Sequence, residues 1–128
     1  MSGNRFAVIG VGQYGVEIAH KLASRGAEVF AFDTNPDRIE SIKDEVSLAV
    51  TMDTTDKKSL IAHKVNEMDA AVVAIGENFE ATILTALNLL DLKTKRVIVR
   101  ASGDNQKRIL RNLGIDEILA PEEEFASL

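Results

Sequence analysis

The sequence predicts an α/β fold: a doubly wound sheet of six parallel strands in the order 3-2-1-4-5-6, with helices on both faces. Three observations point there. Short apolar, β-branched runs alternate with amphipathic stretches in units of about 20 residues, the pattern of βαβ units. Several runs are apolar at consecutive positions, the signature of strands covered on both faces. A glycine-rich turn, Gly10-Val11-Gly12-Gln13-Tyr14-Gly15, follows the first run and makes the arrangement Rossmann-like.

The elements follow in order. Phe6–Ile9 is the first strand. Tyr14–Arg25 reads as a helix, because Val16, Ile18, Ala19, Leu22 and Ala23 recur at helical spacing and Gly26 follows as a C-cap. Glu28–Phe32 is the second strand. Pro36 suits the first turn of a helix over Asp37–Asp44. Leu48–Thr51 is the third strand, and a helix over Asp56–Lys64 follows Thr54 and Thr55, either of which can cap it. Ala70–Ile75 is the fourth strand. Phe79–Leu92, with Asn78 as N-cap, is expected to turn Ile83, Leu84, Leu87 and Leu90 inward. Arg96–Val99 is the fifth strand, Asn105–Leu113 a helix closing at Gly114, and Glu117–Leu119 the sixth strand. After Pro121, three acidic residues suit the N-terminus of a further helix over Glu122–Leu128.

Composition narrows the function. At 128 residues the chain has the size of one domain. Val, Ile, Leu and Phe supply 39 residues, too many for a disordered chain. The absence of cysteine removes disulfides, thiolate metal sites and Cys nucleophiles. A net charge of −5 argues against nucleic acid as the partner. The longest apolar run, Ala70–Ile75, is far below the ~18 residues of a membrane span. The charged-then-apolar pattern of a signal peptide is not expected from its first residues.

The glycine turn carries the chemistry. Alone, its spacing fits either a tight strand-to-helix turn or a phosphate site. Here a buried strand precedes it, an amphipathic helix follows, and Asp33 ends the second strand 23 residues after Gly10. Gly10 permits the sharp turn, Gly12 lets a pyrophosphate approach backbone N–H groups, and Gly15 lets helix and strand pack closely. The helix N-terminus supplies donors and a partial positive charge. Asp33 can accept hydrogen bonds from the adenosine ribose, and its charge repels a 2′-phosphate, so NADP is disfavoured. Together these predict nucleotide binding.

Other residues admit two readings. Tyr14 has Ile18 rather than Lys four residues on, so no Tyr/Lys reductase dyad exists, and it reads as a packing residue at the helix start. His20 and His63 each lack a second His to complete a metal site and read as surface or satisfied helix residues. Thr34 and Arg38 either edge an adenosine pocket or form a solvated face. Arg100 lies at the carboxyl end of the fifth strand, the edge where ligands of open α/β sheets bind; it needs either a phosphate or an acid as partner.

These residues resemble the N-terminal lobe of RCK domains, also called KTN or TrkA-N domains, which regulate potassium transporters and channels of the TrkA and KtrA type. The resemblance runs from about Arg5 to Phe125. Beyond the glycine motif it rests on Asp53-Thr54-Thr55-Asp56, similar to an acid-x-Thr-acid segment beside the adenine, and on Ala74-Ile75-Gly76-Glu77-Asn78, similar to a turn near the phosphates. Arg100-Ala101 matches a basic residue that reaches the phosphates in KtrA-like regulators. Leu113-Gly114-Ile115-Asp116 and Ala120-Pro121-Glu122 resemble the run into the crossover helix. Two positions depart from the pattern. Gln13 stands where KtrA-like members often carry an Arg that holds the terminal phosphate of ATP, and Met52 stands where Gly is common.

The resemblance implies regulatory binding of an adenine nucleotide, NAD(H), ADP or ATP, without turnover. On that basis Gly10, Val11, Gly12, Gln13, Tyr14, Gly15, Asp33, Thr34, Arg38, Asp53, Thr54, Ala74, Ile75, Gly76, Asn78 and Arg100 are the expected nucleotide-binding residues. Glu122 matches a glutamate that helps hold a divalent cation between subunits. The resemblance further implies a homo-oligomer, from dimer to octameric ring, on the cytoplasmic face of a membrane potassium channel or transporter. Residues 4–120 would form the Rossmann core and 121–128 the start of the crossover helix, with a second lobe beyond an excised sensor lobe. The rival reading is the cofactor domain of an NAD-dependent dehydrogenase.

Overall fold

A computed structural model of the chain describes residues 4–121. The elements are β1 (Arg5–Ile9), α1 (Gln13–Ser24), β2 (Glu28–Asp33), α2 (Pro36–Ile42), β3 (Leu48–Thr51), α3 (Lys57–Ala62), β4 (Ala70–Val73), α4 (Phe79–Asp91), β5 (Val97–Arg100), α5 (Gly103–Asn112) and β6 (Glu117–Leu119). Single 3-10 turns follow α2 at Lys43–Glu45 and α3 at Val65–Glu67. The six strands pair in parallel in the order β3-β2-β1-β4-β5-β6, as the sequence predicts.

The consecutive apolar runs have a direct explanation. Ala7 and Ile9 of β1 join one core with Phe32, Leu60, Leu89, Val99 and Leu110, beneath α3, α4 and α5. Val8, between them, points to the opposite face and packs with Val29, Ala31, Ala19, Ile39 and Ile42 beneath α1 and α2. Both faces of the strand are therefore dry, and alternation disappears. Helices α1 and α5 close alike: the amides of Gly26 and Ala27 bond the carbonyls of Ala23 and Leu22, and those of Gly114 and Ile115 bond Arg111 and Leu110. That is the two-bond closure expected after the last helical residue.

Three local expectations change, and a fourth cannot be compared. The fourth strand ends at Val73, so Ala74, Ile75 and Gly76 form the turn into α4. The cap of α3 is Asp56, whose carboxylate accepts from the Lys58 amide and the Ser59 hydroxyl, rather than Thr54 or Thr55. The fully buried stripe of α4 is Thr82, Thr85, Ala86 and Leu89; of the four expected inward residues Leu90 packs partly buried against this core, while Leu84 is 44% exposed. A helix this rich in leucine does not announce its inner face, and here Thr82, Thr85 and Ala86 share it with Leu89. The expected helix over Glu122–Leu128 lies outside the described residues.

Candidate functional site

The site begins where β1 meets α1. The Gly10 amide bonds the Phe32 carbonyl at 2.8 Å, which carries the chain off the sheet beside β2. Gly10 has φ +89°, and a Cβ there would lie 2.8 Å from the Ile75 amide nitrogen. A side chain is excluded by both torsion and space. Gly15 faces the Gly10 carbonyl so closely that a Cβ would overlap it. Gly12 differs: the nearest atom to a Cβ there is the Arg38 guanidinium, at 3.8 Å. Its approach side is bounded by a movable side chain and not by backbone. Gly12 is also the N-cap of α1 and makes no side-chain cap, which leaves the first-turn amides unclaimed by a capping side chain.

Asp33 closes the turn from the other side. It is 7% exposed; its Oδ2 accepts from the Val11 amide at 2.8 Å and its Oδ1 from the Asn35 amide at 2.9 Å. A carboxylate has about four acceptor positions, so two bonds leave capacity for ligand hydroxyls. The Arg38 guanidinium stands 3.6 Å from Oδ2.

Two adjoining cavities flank this turn. One, of about 400 Å³, is lined by Ile9, Phe32, Asp33, Thr34, Met52 and Asp53 on the β2–β3 side and by Ile75, Asn78, Ala81 and Leu84 on the α4 side. Its apolar walls and its acid suit an adenosine. Leu84, unexpectedly exposed, is one of those walls. The other cavity, about 330 Å³, is lined by Gly12, Gln13, Tyr14, Glu17, Arg38, Ala74, Gly76, Glu77 and Arg100. Gly10, Ile75 and Glu77 line both.

Charge in the second cavity is ordered. Arg38 Nη1 donates to Glu77 Oε1 at 3.0 Å, and Glu77 Oε2 accepts from the Gly76 amide at 3.2 Å. The hydrogen bond from Arg38 holds the Glu77 carboxyl below the usual range and raises the guanidinium pKa. Arg100 carries its guanidinium 5.0 Å from the Tyr14 ring centroid, a cation–π contact, and a Cβ on Gly76 would lie 2.5 Å from its Nη1. Among the described residues the buried Arg100 Nε has no hydrogen-bond partner.

The expected residues thus divide. Gly10, Gly12, Gln13, Tyr14, Asp33, Thr34, Arg38, Asp53, Ala74, Ile75, Gly76, Asn78 and Arg100 all line one or both cavities. Tyr14 does more than pack, since its ring supports Arg100. Arg38 reaches over the turn toward Glu77 instead of standing free in solvent. Val11 and Gly15 contribute backbone shape rather than lining: Val11 is 2% exposed. Thr54 also lines the larger cavity, but its hydroxyl is engaged with Thr85 Oγ1 in the core at 2.9 Å and so steadies the loop. Asn78 spends its side-chain oxygen on the Ala81 amide as cap of α4. Asp53 turns Oδ1 back onto the amide and hydroxyl of Thr55. Both histidines are engaged: His20 pairs with Glu45 at 2.8 Å, and His63 Nδ1 meets the Ser59 carbonyl while its ring abuts Phe32. Glu122 lies outside the described residues, and among those described no cluster of His, Cys, Asp or Glu could hold a metal ion.

Sequence reasoning missed Glu77 as a charged partner, Leu84 as a wall, and Thr85 and Asn88 as anchors of the β3–α3 loop; Asn88 Nδ2 donates to the Thr55 carbonyl at 2.9 Å. The signal for Asn88 was present, as an amide on the helix face next to buried Leu89.

A glycine turn from β1 into α1, beside the end of the adjacent parallel strand β4, an acid at the tip of β2 and cavities on both sides define a Rossmann-class domain. Comparison with known proteins places it further. The chain belongs to the TrkA-N domain family, whose model matches residues 6–121. It is 38% identical over 121 residues to Ktr system potassium uptake protein C of Bacillus subtilis strain 168, covering 94% of this chain and 55% of that protein. The chain spans about half the length of the curated relatives it matches. Among solved structures, the NAD(P)-binding domain of an exopolyphosphatase-related protein from Archaeoglobus fulgidus superposes with a TM-score of 0.84 at 23% identity, over 95% of this chain and 91% of that one. The GsuK channel bound to NAD gives 0.77 at 16% identity, over 93% of this chain and 21% of that one. At these identities the structures share the fold. Among the described residues no helix is long and apolar enough to cross a membrane.

Proposed function

We propose that this chain is the nucleotide-sensing lobe of a regulator of potassium uptake. It binds an adenine nucleotide, NAD(H), ADP or ATP, with adenosine in the larger cavity and phosphates at Gly12, and it disfavours NADP. The observation that carries this reading is the placement of Asp33. Its carboxylate is bound to the glycine turn through the Val11 amide, yet it borders the larger cavity with acceptor capacity to spare. The GsuK channel bound to NAD shares the fold, which supports the same ligand class here.

The potassium link rests on the Ktr relative, and the assembly reading rests on the family: a homo-oligomer, from dimer to ring, working on the cytoplasmic side of a membrane channel or transporter. No turnover is needed. A ligand shifts such an assembly only as far as its affinity differs between two shapes of it.

Thermal shifts with NAD, NADH, ADP, ATP, AMP and NADP at equal concentration test the reading, since bound ligand stabilises by RT ln(1 + [L]/Kd). The adenine nucleotides should raise Tm and NADP should raise it least. A flat panel would contradict nucleotide binding.

A further inference from the structure

We propose that Glu77 sets the charge selectivity of the nucleotide site: its carboxylate stands at the phosphate position as a tethered anion, and the site therefore favours the sparse charge of a dinucleotide pyrophosphate over the dense charge of a triphosphate. The inference rests on the nucleotide reading above and specifies it.

Three observations carry it. First, Glu77 binds as a phosphate would. One carboxylate oxygen takes the Arg38 guanidinium at 3.0 Å and the other takes the Gly76 backbone amide at 3.2 Å. A guanidinium and a backbone N–H are the donors that recognise phosphate oxygens. Second, the guanidinium so occupied is the group that borders Gly12, 3.8 Å from where a Cβ would stand, so it lies on the approach that the glycine leaves open. Third, Glu77 lines both cavities and sits at their junction, where a phosphate chain must pass.

The consequences follow from charge. The Glu77 side chain is 64% exposed, and an exposed ion pair is weak, so the carboxylate can leave Arg38 when a ligand phosphate arrives. It remains tethered nearby as a like charge. Repulsion grows with the charge that the ligand brings past Gly12, so ATP is penalised more than ADP, and ADP more than NAD. Arg100, held over Tyr14 with its Nε unpartnered among the described residues, remains available to the far end of the ligand.

Calorimetric titration of NAD, ADP and ATP in magnesium-free buffer, into the protein and into Glu77→Gln, tests this. The amide keeps the shape and removes the charge. We expect ATP affinity to rise about tenfold in the variant, NAD affinity to change less than about threefold, and ADP to fall between. In an Arg38→Ala background the same substitution should still improve ATP more than NAD, because the repulsion comes from the Glu77 carboxylate itself. Equal gains for all three ligands, or none, would overturn the selectivity role while leaving nucleotide binding standing. Failure of every nucleotide to bind either protein would overturn both.

Discussion

The Asp33 carboxylate accepts a hydrogen bond from the Val11 amide at 2.8 Å across 22 positions of sequence. That contact joins the tip of β2 to the glycine turn, so the acid that would recognise a ribose and the backbone that would recognise phosphates form one rigid unit. The two cavities on either side of the turn depend on it for their relative placement.

Gly15 tests how closely the unit is packed. A methyl group there would overlap the Gly10 carbonyl, a backbone atom that cannot move without opening the turn. Gly15→Ala should destabilise the protein by about 3 kcal/mol, the upper end of overpacking costs, in urea unfolding. A loss under about 1 kcal/mol would show that α1 can shift away from the turn at little cost.

Much of this was legible in the sequence because it is local. The β1 strand, the turn and α1 are contiguous, and glycine spacing reports backbone shape directly. What was not legible lies in contacts without a period. Glu77 and Arg38 are 39 positions apart and meet only because α2 and the β4–α4 turn border one cleft. Thr54 reads as a polar site residue until the fold places Thr85 opposite it. Leu84 fits an inward helical position equally well, and only the buried small residues beside it show that it faces the cavity.

The Thr54–Thr85 pair should behave as a buried polar couple. Thr85 is 0% exposed and Thr54 4%. Thr85→Val leaves the Thr54 hydroxyl unpartnered and should cost about 1–3 kcal/mol. Adding Thr54→Val should recover part of that loss, which a double-mutant cycle by denaturant unfolding would read as a coupling above about 0.5 kcal/mol. Additive losses would mean that the two hydroxyls are independent.

Arg96 ties β5 to β6 through two bonds from Nε and one from Nη2 to the Glu117 carboxylate. Those hydrogen bonds lower the Glu117 carboxyl pKa. The folded-state value lies below the unfolded one, so the pair's contribution is complete above the ordinary carboxyl range and disappears as pH falls through the depressed value. Solvent screens it, and Glu117→Gln should cost under about 1 kcal/mol at neutral pH. That difference should vanish in acid; a difference that persists there would assign the effect to packing.

Arg100 should act on phosphates and not on adenosine. Arg100→Gln should weaken ADP by about tenfold and leave adenosine within about twofold, measured by competition binding. Equal weakening of both would place the guanidinium outside the phosphate path.

The most direct test of the central claim is a calorimetric titration of NAD and NADP into the protein and into Asp33→Ala. Binding at the Gly10–Asp33 cleft predicts that NAD exceeds NADP in the parent protein and that Asp33→Ala loses about tenfold or more in NAD affinity while the preference over NADP collapses. NAD affinity unchanged in Asp33→Ala, or NADP binding as tightly as NAD to the parent, would contradict it.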